Sequence, residues 1–158
     1  PCLILRVIRR SNHRHCIMRT SDKGIAVIQM FEGLRLTAYD DGGGVQTIGY
    51  GHTGNVQPDS TIDEEEATRL LKADLLTAEQ CVDECVEVQI TQEQFDALVS
   101  FVFNVGCNAF NHSTLLRLLN AGNKEAAAAQ FSRWTKDGGK VLAGLIRRRA
   151  AEAELFLA

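Results

Sequence analysis

The chain has 158 residues, a net charge of −3 and 45% hydrophobic side chains, which sets it as one globular domain, with room for two lobes on a shared core. No apolar run approaches the eighteen or so residues of a membrane span, and no basic stripe interleaved with aromatics marks a nucleic-acid surface. The charge is uneven. Residues 1–58 hold seven basic and four acidic side chains, residues 59–96 two and twelve, and residues 97–158 eight and four.

Residues 1–17 open the chain with a short apolar run broken by Arg6, then a basic stretch containing Arg9, Arg10 and Arg14. The apolar part is too short for a signal peptide and its charge lies on the wrong side. We read residues 1–17 as a disordered or extraneous extension, with a membrane-active basic leader as the alternative. Residues 18–158 form the folded domain.

Ser21 or Thr20 is placed to cap a helix, with Asp22 at its positive end. Ile25, Val27, Ile28 and Phe31 then recur at helical spacing. Glu32 falls on the flank of that apolar face, near the helix end, and is expected to be partly buried. Short strands with a glycine turn follow: Thr37–Asp40, Val45–Ile48 and a third near Val56. Asp41 stands beside Gly42, Gly43 and Gly44, in a turn whose backbone N–H groups favour an ionised carboxylate. Thr47 follows after five residues.

Thr61-Ile62-Asp63-Glu64 has the spacing of a capping box. It is expected to start a long helix ending near Val86, with Ala67, Leu70, Leu71, Leu75 and Ala78 inward. Thr91 and Gln94 form a second box, opening a helix with Phe95, Leu98, Val99, Val102 and Phe103 inward. Shorter helices are expected at 114–120 and 124–133, a loop at Gly138-Gly139, and a last helix from Ala143 to Leu157. The acidic block falls mostly on the long helix, as a solvated face. An odd count of five cysteines, Cys2, Cys16, Cys81, Cys85 and Cys107, argues against a disulfide scaffold, and the thiols are read as reduced. Neither a metal site nor a cofactor is expected.

Two carboxylic acids in different surroundings are what hydrolysis of a glycosidic bond needs. One donates a proton to the leaving oxygen, and the other stays ionised to steer water or steady positive charge. For an arbitrary Glu and Asp at this spacing, a helix-terminal acid and a turn residue are the ordinary explanation. The longer string decides otherwise. Phe31-Glu32-Gly33-Leu34-Arg35-Leu36, then Ala38-Tyr39, Asp41 and Thr47-Ile48-Gly49-Tyr50-Gly51-His52-Thr53 resembles the catalytic signature of the phage-type lysozymes, the endolysins of tailed phages. Gln94 to Leu98 with Phe103 to Gly106, Ser113 to Leu116, Leu119-Asn120, Trp134, Gly144 to Arg149 and Glu152 fit later helices of that family, in order.

The resemblance implies an α+β, lysozyme-like fold. A small three-stranded β lobe (about residues 36–60) would be joined by a long helix to a larger helical lobe (about residues 61–158 with the first helix). It implies hydrolysis of the β-1,4 bond between N-acetylmuramic acid and N-acetylglucosamine in peptidoglycan. Glu32 would be the general acid, with Asp41 and Thr47 positioning the water. His52 would be structural, paired with Asp74. Asn104 and Ser113 would support the site or touch substrate, and an arginine of the last helix, assigned to Arg148 among Arg147, Arg148 and Arg149, would face Glu32. Trp134 is read as core. The basic C-terminal part suits an anionic wall polymer. The resemblance further implies a monomer without stable membrane insertion, held in the host cytoplasm until holin-assisted release, then acting on periplasmic peptidoglycan to lyse the host. A lytic transglycosylase, which needs neither Asp41 nor Thr47, a chitin hydrolase and a non-catalytic wall-binding module are the alternatives.

Overall fold

The computed structural model describes residues 17–158, so the reading of the N-terminal extension lies, apart from Ile17, outside the described residues. Helix α1 (Asp22–Glu32) is capped by Ser21, whose Oγ accepts from Gly24 N at 3.2 Å. Gly33, at φ 72°, stops it in a conformation that favours glycine. The segment before α1 is pinned by two buried acids from elsewhere in the chain. Glu79 accepts from Thr20 N, Thr20 Oγ1 and Arg19 Nη1 at 2.7–2.8 Å. Asp96 accepts from Ser21 N at 3.0 Å, from Ser21 Oγ, and from Gln92 Nε2 at 2.8 Å. The approach is close enough that a Cβ on Gly24 would stand 2.6 Å from Asp96 Cγ.

Strands β1 (Arg35–Asp40) and β2 (Gln46–Gly49) pair antiparallel, with Tyr39 opposite Thr47 and Asp40 opposite Gln46. The expected third strand near Val56 does not form. Residues 51–60 contain Pro58, and Asn55 and Asp59 have φ of 55° and 62°, backbone that cannot continue an extended ladder. The sheet's third member shrinks to one bridge, Thr37 to Thr61, flanked by bonds from Ala38 N to Ser60 O and Ile62 N to Leu36 O. That bridge takes Thr61 out of the expected capping box. Asp63 caps α2 (Glu64–Cys85) instead, accepting from Glu66 N at 2.8 Å.

Helix α2 runs 22 residues and buries Ala67, Leu71, Leu75 and Ala78 as its pattern foretold, while Leu70, also expected inward, is only partly buried. Helix α3 (Gln92–Val105) starts at the complete Thr91–Gln94 capping box. It is wrapped on nearly all sides, with Phe95, Ala97, Leu98, Val99 and Phe101 almost inaccessible. Around it lie α4 (Cys107–Asn111), α5 (Thr114–Asn120), α6 (Lys124–Gln130) with a 3-10 turn at Phe131–Arg133, and α7 (Ala143–Leu157). Phe101 meets Phe110, Phe131 and Trp134 edge-on, which places Trp134 against the core. Gly138 and Gly139 turn a hairpin between β3 (Lys136–Asp137) and β4 (Lys140–Val141), both at positive φ. Among the described residues no helix is long and apolar enough to cross a membrane.

The expectation of reduced thiols fails at one pair. Cys81 near the end of α2 is disulfide-bonded to Cys107 at the start of α4, with Cα atoms 5.9 Å apart. Linear spacing gives no sign of this pair, because it depends on α3 returning the chain to the end of α2. Cys85 is free. Closing 26 residues, the bond is expected to contribute about 3–4 kcal/mol through the unfolded chain. Urea unfolding of the native protein and of Cys81→Ser should show that loss in the midpoint.

Candidate active site

Glu32 is the last residue of α1, and Gly33 turns the chain directly into β1. Its side chain is 23% exposed. Arg148 Nη1 donates to Oε1 at 2.6 Å across 116 residues of sequence. Oε2 accepts no hydrogen bond from the described residues, so one carboxyl oxygen is fixed and the other is free for a proton. Of the three consecutive arginines, Arg147 is exposed while Arg148 and Arg149 are buried. Arg148 lies 5.7 Å from the Phe31 ring centroid.

Arg148 is itself held from behind. Its Nε donates to Glu152 Oε1 at 3.1 Å and its Nη2 to Ser100 O at 3.2 Å. Ser100 Oγ donates to the same Glu152 oxygen at 2.7 Å. Arg149 completes the cluster. Its Nη2 donates to Asn104 Oδ1 at 2.7 Å, and its guanidinium lies 4.9 Å from the Phe101 ring centroid. Its Nε is 3.0 Å from Glu152 Oε2, close enough for an ion pair but not aligned for a hydrogen bond, and Nη1 has no partner. Burial pushes the Glu152 carboxyl up, with Arg149, Ser100 and Arg148 pulling it back. Burial also lowers Arg149, to about 10, which leaves it protonated at neutral pH.

Asp41 sits in the turn between β1 and β2. Its Oδ1 accepts from Gly43 N at 2.8 Å and loosely from Val45 N at 3.4 Å. The preceding acid, Asp40, accepts from Gly42 N at 2.8 Å and Gly44 N at 3.0 Å. Two successive Asx-type turns therefore shape the loop, with Gly42 and Gly44 at φ of 94° and 81°. Thr47 is 5% exposed, and its Oγ1 has only a long 3.4 Å contact to Val45 O. Its hydroxyl is thus nearly uncommitted within the protein.

The remaining candidates occupy three different places. His52 Nδ1 lies 2.8 Å from Asp74 Oδ2, and Nε2 lies 2.9 Å from Gly54 O. Both ring nitrogens face acceptors, so the ring clamps the loop after β2 to α2. Asn104 is held by Arg149 at the far end of the cluster that carries Glu32. Ser113 caps α5 by accepting from Leu116 N at 3.0 Å, and its bonds stay within the α4–α5 corner. Sequence reasoning did not assign roles to Ser100, Arg149 or Glu152. The i, i+4 spacing of Arg148 and Glu152 on one helix was the available signal.

A small antiparallel sheet followed by a long helix and a larger set of helices is the architecture of a lysozyme-like protein. The phage lysozyme family model matches residues 29–152, and the chain belongs to that family. It is 50% identical over 143 residues to an endolysin of Bacillus phage B103, across 89% of this chain and 54% of that protein. The chain therefore spans about half the length of that relative. It is 44% identical to the endolysin of Salmonella phage P22, across 89% of this chain and 99% of the other. Among solved structures, the muramidase domain of SpmX from Asticaccaulis excentricus is 44% identical with a TM-score of 0.83, over 89% of this chain and 98% of that one.

Proposed function

We propose that the protein is an endolysin that hydrolyses the β-1,4 bond between N-acetylmuramic acid and N-acetylglucosamine in peptidoglycan, leading to lysis of the host cell. The observation that carries this reading is the contrast between the two carboxyl groups. Glu32 is anchored through one oxygen by a buried arginine, with the other oxygen unbonded. Asp41 is on an exposed turn, with one oxygen taken by backbone N–H groups.

In the proposed reaction Glu32 protonates the glycosidic oxygen as the bond breaks. Asp41 stabilises the developing oxocarbenium charge and, with the Thr47 hydroxyl, holds the attacking water. Proton and charge are then handled by separate groups, as this chemistry requires. Asn104, through Arg149, and His52, through Asp74, support the scaffold. Ser113 acts as a helix cap. The endolysin and muramidase names of the relatives agree with this reading. The Cys81–Cys107 bond fits action in an oxidising compartment such as the periplasm, after cytoplasmic accumulation and holin-assisted release as a monomer.

The test is to digest purified peptidoglycan and analyse the released ends by mass spectrometry. Reducing N-acetylmuramic acid ends are expected. Anhydro ends would instead make the protein a lytic transglycosylase, and an absence of cleavage would make it a wall-binding module. Asp41→Asn should lower turnover by roughly a hundredfold or more while leaving the melting temperature near native, since Asn can still accept from Gly43 N. Near-native rates in that variant would reduce Asp41 to a turn residue.

A further inference from the structure

A disulfide needs two sulfurs, and the junction of α2 with α4 holds three. Cys81 and Cys85 lie one turn apart on α2, and Cys107 opens α4. All three Sγ atoms lie within 4.8 Å of one another. Cys85 is half-buried, and its one sulfur contact is a 3.8 Å approach to Asn111 Oδ1. It packs at the edge of the core, and the proposed reaction does not use it. Coordination to a metal ion itself deprotonates a thiol, so three such sulfurs can serve together as ligands.

We propose that in the reduced protein Cys81, Cys85 and Cys107 form a three-thiolate site for a soft cation of the Zn2+ class. A tetrahedral ion with metal–sulfur bonds of about 2.3 Å places its sulfurs about 3.8 Å apart, so the Cys81 and Cys107 sulfurs must part once reduced, while Cys85 already lies within 4.8 Å of both. Thiolate ligands select such ions over magnesium or calcium. Cys107 is exposed and Cys85 partly so, which gives the ion a path in. A fourth ligand is available from solvent, through the surface depression lined by Glu84, Cys85, Glu87, Asn111 and His112.

The chemistry balances in two steps. A dithiol reductant gives two electrons and two protons to the Cys81–Cys107 bond and leaves as its own disulfide. The ion then displaces the protons of three thiols, which pass to solvent. The two states exclude each other, because Cys81 and Cys107 cannot be bonded together and serve as separate ligands. The α2–α4 junction is therefore cross-linked by sulfur in oxidising surroundings and by metal in reducing ones.

The test uses the full chain, reduced with a phosphine and titrated with Cd2+ under anaerobic conditions. One ion per chain is expected, with a sulfur-to-cadmium charge-transfer band and protection of three thiols from alkylation. Cys85→Ser and Cys85→Ala should bind weaker by more than the roughly tenfold that loss of an outer-shell partner alone costs, and the oxidised protein should show no band. Both variants, when oxidised, should keep native peptidoglycan clearing, since Cys85 lies outside the site carrying Glu32. A reduced native protein without the band, or Cys85 variants that bind as tightly as native, would overturn the site.

Discussion

Glu32→Gln is expected to fold as the native chain does and to lose roughly 10²–10⁴-fold in peptidoglycan turnover, the range that a positioned general acid supplies. Glutamine has the shape of glutamic acid, and its amide oxygen can still accept from Arg148 Nη1, where Glu32 Oε1 now does at 2.6 Å. What it cannot do is release a proton from the other position. The side chain is 23% exposed, so losing its charge is a modest change to packing, and Arg148 retains Glu152 and the Ser100 carbonyl. The fold and the chemistry are therefore separable at this residue. The measurement is clearing of purified peptidoglycan beside a thermal melt. Activity within about tenfold of native, with an unchanged melt, would sink Glu32 as the acid.

The parts of this molecule legible in the sequence are those whose causes are local. Helix α1 follows from Ser21, the apolar spacing and Gly33. Helix α3 follows from the Thr91–Gln94 box, and the inner face of α2 from its periodicity. The turn holding Asp41 was legible because glycine and aspartate specify it within five residues. The parts that escaped depend on what the chain meets later. Thr61 has the signature of a helix cap, but Thr37 recruits it to the sheet. Cys81 and Cys107 are 26 residues apart, and nothing along that interval says that α3 brings them together. The pairing of Glu32 with Arg148 spans 116 residues. It was readable through resemblance, since no rule of spacing reaches that far. Glu152 illustrates the same limit, as its helix pattern marks it inward but not what it binds.

The strongest stability effect is expected at Glu152, whose carboxylate is fully buried beneath the site. Glu152→Ala removes the shared counterion of Arg148 and Arg149, which are 4% and 1% exposed. Arg148 still has Glu32, but Arg149 is left with Asn104 and the Phe101 ring. Its Nη1 already has no partner. Breaking a buried pair from one side costs about 3–5 kcal/mol, which lowers the melting temperature by roughly 6–20 °C for a chain of this size. Glu152→Gln should cost less, because the amide oxygen can keep the bonds from Ser100 Oγ and Arg148 Nε. The loss should also reach the chemistry. Arg148 is aimed at Glu32 by Glu152 and the Ser100 carbonyl together, so Glu152→Ala should lower kcat at temperatures where the variant is still folded, and Glu152→Gln should lower it less. Urea unfolding and initial rates well below the melt separate the two effects. A stability loss under about 1 kcal/mol for Glu152→Ala would show that the arginines find solvent instead. Native kcat in folded Glu152→Ala would show that Arg148 holds Glu32 without support from behind.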